Sequence, residues 1–255
     1  MIHSFAKPIL EHWGLSVSDI PTSEKQESDF LVVVESTKVL IEEKAKLDDP
    51  KDLLKRTVAL ESGEVHVAST PITRTNRMSG LVRKAAGQLI SSSENDHDFR
   101  VVWFTGTGLS SEAQAKQFEA SIYGTTNIIE KGKWDLTPCY FYRNSDFHRY
   151  AEAIDGAVVA NTAHGKVNMK LCLNSLSPNY PSFRTSPFAQ LFLPAVVDPR
   201  TLEIEGAAYI ADTPLDRNNE QGLLQFLQNR YATGLLMAID MGHTVATVAV
   251  PDDDS

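Results

Sequence analysis

Residues 28–46, SDFLVVVESTKVLIEEKAK, constrain the fold more than any other stretch of the chain. Phe30–Val34 is a run of aromatic and β-branched residues, 35–38 is a short polar break, and 39–41 starts a second apolar run that passes directly into charge. Two such runs around a short break read as a β-hairpin. Strand side chains alternate between faces, so Leu40, Glu42, Lys44 and Lys46 share one face while Val39, Ile41, Glu43 and Ala45 share the other. Glu42 and Lys44 then project side by side. Asp29, at the open end of the partner strand, comes close to both.

Two carboxylates and an ammonium at the open end of a hairpin suit one kind of chemistry. Mg²⁺ prefers oxygen ligands, keeps several waters, and takes one or two protein carboxylates together with substrate phosphate oxygens. A neighbouring lysine can orient or deprotonate an attacking water and offset charge in the transition state. The segment resembles the signature of the PD-(D/E)xK phosphodiesterase superfamily, in which an Asp and a Glu-x-Lys lie on two adjacent strands. Here the match is Asp29, twelve intervening residues, then Glu42-Glu43-Lys44. Ser28 stands where that pattern often has proline, and Glu43 where it usually has an apolar core residue.

The resemblance implies an α/β (α+β) restriction-endonuclease-like fold, a central mixed sheet flanked by helices. It implies a nuclease that hydrolyses phosphodiester bonds, of DNA above all, in restriction, repair or defence. Asp29 and Glu42 would hold Mg²⁺, or Mn²⁺ in its place, with the Glu43 backbone carbonyl assisting, and Lys44 would act on the water. Gln88 would match a recurrent polar residue facing the site, and Glu11 an occasional extra carboxylate, though Glu11 reads more readily as an ordinary exposed helix residue. Members commonly act as dimers, so a homodimer or a larger defence complex is the implied assembly. The alternative is a catalytically silent module of the same fold that grips nucleic acid or a protein partner.

The order of elements does not depend on the Glu-x-Lys triplet. Residues 5–13 form an amphipathic helix stopped by Gly14, 15–20 a strand, and 48–54 a loop with a helical turn. Residues 64–68 read as another short strand. Met78, Leu81, Val82, Ala85 and Leu89 make one apolar stripe on a helix from Asn76 to about Ser92. The run 99-FRVVWFTG-106 has the pattern of a buried strand. Ser111 and Gln114 suggest a capping box opening a helix to Tyr123, with Gly124 as its stop and a strand over 125–130 after it. Beyond Pro138 the signals weaken, and 174–187 reads as a Ser- and Pro-rich loop. The expected organisation is a single elaborated domain with its nuclease-like core over about 1–135 and a C-terminal extension over about 136–255.

A net charge of −9 argues against a general nucleic-acid coat. Residues 65–93 nevertheless contain no Asp or Glu, and Arg74, Arg77, Arg83 and Lys84 all fall there. That polarity fits a phosphate-binding strip, and equally a face packed on an acidic part of the same protein. Cys139 and Cys172 are too few for a disulfide framework and lack metal-ligand spacing. No apolar run approaches the roughly 20 residues needed to span a bilayer. No signal peptide is evident at the N-terminus, which makes the cytoplasm the expected compartment. Gly106-Thr107-Gly108 lacks the rest of a nucleotide loop and reads as a tight turn.

Overall fold

The computed structural model describes residues 4–21, 27–94, 96–163, 166–240 and 242–248. α1 (Ala6–His12) and β1 (Ser16–Asp19) precede the hairpin strands β2 (Phe30–Val34) and β3 (Thr37–Lys46). α2 (Pro50–Glu61), β4 (His66–Pro71), α3 (Asn76–Ser91), β5 (Phe99–Gly106) and α4 (Ser111–Tyr123) follow. Next come β6 (Thr126–Glu130), β7 (Leu136–Tyr140), α5 (Asp146–Arg149), β8 (Gly156–Ala163) and β9 (Lys166–Leu173). The chain continues through α6 (Tyr180–Arg184), α7 (Pro187–Gln190), β10 (Val196–Val197), α8 (Pro199–Ile204) and β11 (Tyr209–Ile210). α9 (Glu220–Tyr231), β12 (Leu236–Ile239) and β13 (His243–Val248) complete it.

Seven strands form one mixed sheet in the order β1-β2-β3-β5-β8-β9-β10. β1, β2 and β3 are antiparallel neighbours, whereas β5 runs parallel to β3 and β8 parallel to β5. β5 is buried on both faces, as expected of a central parallel strand, and its FRVVWFTG sequence accordingly lacks alternation. One face of the sheet packs on α3, α4 and α5 through Leu40, Val102, Phe104, Val82 and Phe118. The opposite face packs on α1, α6 and α7 through Ile41, Trp103, Leu10, Phe183 and Phe188. A second sheet, β11-β7-β6-β12, is backed by α9 through Ile128, Leu223, Leu227 and Leu236. The protein is therefore an α/β fold with a mixed sheet between helical layers. β8, β9 and β10, all from beyond residue 135, make up the far half of that sheet.

The hairpin pairs antiparallel with the expected alternation, but its turn is shorter than the expected 35–38 break, because Thr37 and Lys38 belong to β3. Phe30 pairs with Ile41, Leu31 with Leu40 and Val34 with Thr37, which leaves a two-residue turn at Glu35-Ser36. Other expectations need correction. The helical turn over 48–54 is a full helix, α2, started by Asp49, whose side chain accepts from the Lys51 amide, and by Pro50. It buries none of its residues, which is why no apolar stripe betrayed it. No capping box forms at α4: the Ser111 hydroxyl donates to the Thr162 carbonyl and Gln114 donates to Asp48. The 174–187 segment contains the short helix α6, with Phe183 fully buried against Phe99 and with Tyr180 and Arg184 both tied to Asp198. Among the described residues, no helix is long and apolar enough to cross a membrane.

Glu35 occupies the hairpin turn with φ of +54°, a left-handed conformation that costs a side-chain-bearing residue about 1–2 kcal/mol. Asn tolerates it better and is favoured in such turns. Glu35→Asn should raise stability to urea by about 0.5–1 kcal/mol. A loss of stability would show that Glu35 is held there by something other than the turn.

Candidate active site

The geometry of the site follows from the two faces of β3. Leu40 lies in the layer beneath α3, so Glu42 and Lys44, at the same parity, also point toward α3. Val39 and Ile41 lie beneath α1, and Glu43 points with them. One step beyond the Phe30–Ile41 pair, the register sets Asp29 across from Glu42; the Asp29 amide donates to the Ile41 carbonyl at 3.2 Å. Asp29, Glu42 and Lys44 thus meet on one side of the sheet.

Glu42 is fully buried. Its Oε1 accepts from the Lys44 ammonium, while Oε2 is buried without a donor among the described residues. Desolvation pushes the Glu42 carboxyl up to about 8, against the pull of Lys44, and the adjacent Asp29 carboxylate raises it further. Asp29 Oδ2 accepts from the Glu43 backbone amide at 2.8 Å, tying the end of one strand to the Glu-x-Lys strand. Lys44 Nζ also donates to Gln88 Oε1 at 2.8 Å, and Gln88 Nε2 donates to the Glu27 carbonyl at 3.1 Å. Gln88, placed by α3, therefore orients Lys44 from above. An ammonium has three donors, so Lys44 keeps one for a further acceptor.

Glu43 serves the opposite face. Its Oε2 accepts from Ser4 Oγ at 2.5 Å, and its Oε1 accepts from the amides of Phe5 and Ala6 at 2.7 and 3.0 Å. A carboxylate there satisfies orphan donors and complements the positive end of the α1 dipole. The unusual acidic residue between Glu42 and Lys44 is thus a helix cap supplied from the sheet, and its carboxylate is directed away from Asp29. Glu11 is exposed on α1.

A cleft of about 550 Å³ opens beside the cluster, lined by Asp19, Glu27, Asp29, Phe30, Lys84 and Gln88 among others. Of the four basic residues in the acid-free stretch, Lys84 lines this cleft. Arg77 lies at the far end of β3, 3.9 Å from Asp49, and close enough to Lys46 to lower its pKa in addition to the effect of burial. Arg83 is exposed on α3, and Arg74 belongs to a different cleft. Asp19 and Glu27 were not singled out from sequence. They reach the cleft only through the packing of β1 and the 27–29 segment, and no local pattern announces that.

The cluster fits a hard divalent cation. Two carboxylates face each other, one with an orphaned oxygen, and without a cation they can coexist only by retaining a proton. Among the described residues no three His, Cys, Asp or Glu side chains gather as a cage, so a cation here would rely on two carboxylates plus water or backbone. Comparison with family models, with characterised proteins and with solved structures finds no match to this chain.

The shift of Glu42 has a testable sign. Below about pH 4.5 the carboxyl is protonated in both folded and unfolded chains. Between there and about pH 8 the unfolded chain ionises while the folded protein holds the proton, so metal-free stability falls as pH rises. Glu42→Gln cannot ionise and can still accept from Lys44. In EDTA its stability gain over the parent should grow from pH 5 to pH 8, by at most about 1.4 kcal/mol per pH unit. Urea titrations giving a pH-independent difference would rule out the raised carboxyl.

Proposed function

We propose that this protein is a Mg²⁺-dependent nuclease that hydrolyses phosphodiester bonds of DNA, with Asp29, Glu42, Lys44 and Gln88 as its catalytic cluster. The observation that carries the reading is the meeting of Asp29, Glu42 and Lys44 on one face of the sheet, beside an open cleft. The strand order supports it too: Asp29 and the Glu-x-Lys segment lie on adjacent antiparallel strands, and a parallel strand follows β3.

Asp29 and Glu42 would hold the ion, with the Glu43 backbone carbonyl available as a further oxygen. Bound Mg²⁺, or Mn²⁺, supplies Lewis-acid stabilisation of phosphoryl charge and eases ionisation of a coordinated water. Lys44, aimed by Gln88 and Glu42, offers its remaining N–H to the attacking water or to a non-bridging phosphate oxygen. Water would attack phosphorus in line and release its proton to solvent, while the P–O bond to the leaving oxygen breaks and that oxygen takes a proton from solvent. Because Glu42 must lose its own proton to bind the ion, metal affinity should increase with pH up to about 8. Lys84 on the cleft wall, with Arg77 and Arg83 along α3, would meet the phosphate backbone. Restriction, repair or defence, in a homodimer or a larger complex, is the biological setting this chemistry suits.

One observation favours the silent alternative. Glu42 is fully buried and Lys44 already spends two donors on Glu42 and Gln88, as a purely structural network would. Cleavage assays on single- and double-stranded DNA and RNA, with Mg²⁺ or Mn²⁺, separate the two. The nuclease reading expects cleavage abolished by EDTA. Lys44→Ala should lose at least about 100-fold in rate while metal binding persists, and Glu42→Ala should lose both. Metal binding without cleavage of any substrate selects the silent module, and a Lys44→Ala protein as active as its parent contradicts the mechanism.

Contact with the backbone has its own measurement. Lys84→Gln should lower DNA affinity equally for unrelated sequences and flatten the slope of log affinity against log salt by about 0.9. An unchanged slope in a folded Lys84→Gln protein would remove this wall of the cleft from the interface.

A further inference from the structure

A second cleft, of about 520 Å³, lies between α4 and the face of the second sheet that α9 does not cover, separate from the Asp29–Glu42 cluster. Its floor is Asn127, Pro138 and Tyr140, and its walls carry Arg74, Lys116, Arg143 and Arg217. Four cations in one cleft of a chain with net charge −9 are unusual enough to need a cause. The two acids that share the cleft are already neutralised. Glu119 pairs with Lys170 at 2.5 Å, and Asp240 accepts from Thr126 Oγ1 at 2.5 Å and from Arg143 at 2.9 Å.

The cations divide by what they already hold. Arg217 donates to the Ala211 and Thr213 carbonyls, and Arg143 pairs with Asp240 and Glu220, so these two build the walls. The backbone brings Arg143 in through Gly124, which has φ of +59°; a Cβ there would meet the Arg143 carbonyl oxygen at 2.5 Å. Arg74 and Lys116 are less committed. Among the described residues Arg74 makes one long hydrogen bond, 3.4 Å to Asn76; the buried Asp146 carboxylate lies close enough to feel its charge, yet Arg74 Nε is buried with no acceptor among those residues. Lys116 holds only the exposed Glu112 of its own helix, at 2.6 Å. Such an i,i+4 surface pair contributes about 0.3–0.5 kcal/mol and yields readily to a better acceptor.

The cleft therefore keeps a buried donor without an acceptor and a loosely paired ammonium, with a half-apolar floor and amide side chains from Asn127, Asn144 and Asn218. A buried guanidinium N–H without an acceptor is the group a phosphate oxygen satisfies best. The volume lies within the range of small-molecule sites. Amide side chains can read the hydrogen-bonding edge of a base. We propose that this cleft is a second ligand site that takes a nucleotide phosphate, with Arg74 and Lys116 on the phosphate and the asparagine side chains near the base. The phosphate comes either from a free mononucleotide or from the 5′ end of a strand. The site does not depend on the nuclease reading, since it shares no side chain with the Asp29–Glu42–Lys44 cluster.

Binding is measured by calorimetry on the full chain in EDTA, so that no cleavage intervenes. The probes are inorganic phosphate, the four 5′-ribonucleoside monophosphates and a 5′-phosphorylated oligothymidylate. At least one nucleotide probe should bind more tightly than inorganic phosphate. Arg74→Gln and Lys116→Gln should each weaken it about tenfold, and Glu42→Gln should leave it unchanged. A mononucleotide that binds identifies a free nucleotide as the ligand, whereas binding of the 5′-phosphorylated oligonucleotide but not its unphosphorylated counterpart, weakened by Lys116→Gln, identifies a strand end. Lys116 is a surface residue, so Lys116→Gln remains informative even if Arg74→Gln fails to fold. Failure of every probe to bind overturns the proposal, as does binding that Lys116→Gln leaves unchanged.

Discussion

Burial of the Glu42 carboxyl is the constraint on which the rest of the site depends. β3 lies between β2 and β5, and Glu42 points off that sheet toward α3, whose packing on this face leaves the side chain buried. An isolated carboxylate in that position is costly, and each neighbour answers the cost in turn. Lys44 pairs with one oxygen, Gln88 holds Lys44 in place, and the Glu27 carbonyl holds Gln88. The other oxygen remains unanswered beside Asp29, and a proton or a cation must fill that need. In the low dielectric of the interior, a polar network left one partner short is costly.

The same strand performs a second task on its other face. Glu43 accepts from Ser4 and from the first amides of α1, a helix whose N-cap residue, Phe5, supplies no side-chain bond of its own. Successive residues of β3 thus hold the chemistry on one side and dock a helix on the other. Asp29 joins the two, since it accepts from the backbone amide of Glu43 while lying across from Glu42. Removing Glu43 would therefore disturb the site through the strand, without that side chain touching it.

Charge is distributed to match. The chain is acidic as a whole, but cations line clefts beside α3 and α4: Lys84 faces the cleft beside Asp29, and Arg74 and Lys116 face the second one. The acid-free stretch read as a single strip is in the fold divided between two clefts and exposed helix surface. Arg74 precedes α3, and Arg83 and Lys84, adjacent on that helix, leave it about 100° apart.

The hairpin and the shared face of Glu42 and Lys44 were legible from residues 28–46, because alternation is a local property of an extended chain, whereas the register depended on a turn two residues shorter than the polar break. The bounds of β5 and α4 were legible for the same reason: a continuous apolar run, and a helix closed by Gly124 in the left-handed conformation. α2 was legible only in part, since Asp49-Pro50 marks its start but no buried stripe marks its length. The sequence by itself thus determined the local elements and the parity of β3. Which partner each side chain would meet was decided by tertiary structure. Gln88 over Lys44, Glu43 at the start of α1, and Arg74 facing Lys116 across a cleft join residues about 40 positions apart. Contacts of that span arise only when sheet order and helix packing bring distant segments together, and neither leaves a periodicity in the chain.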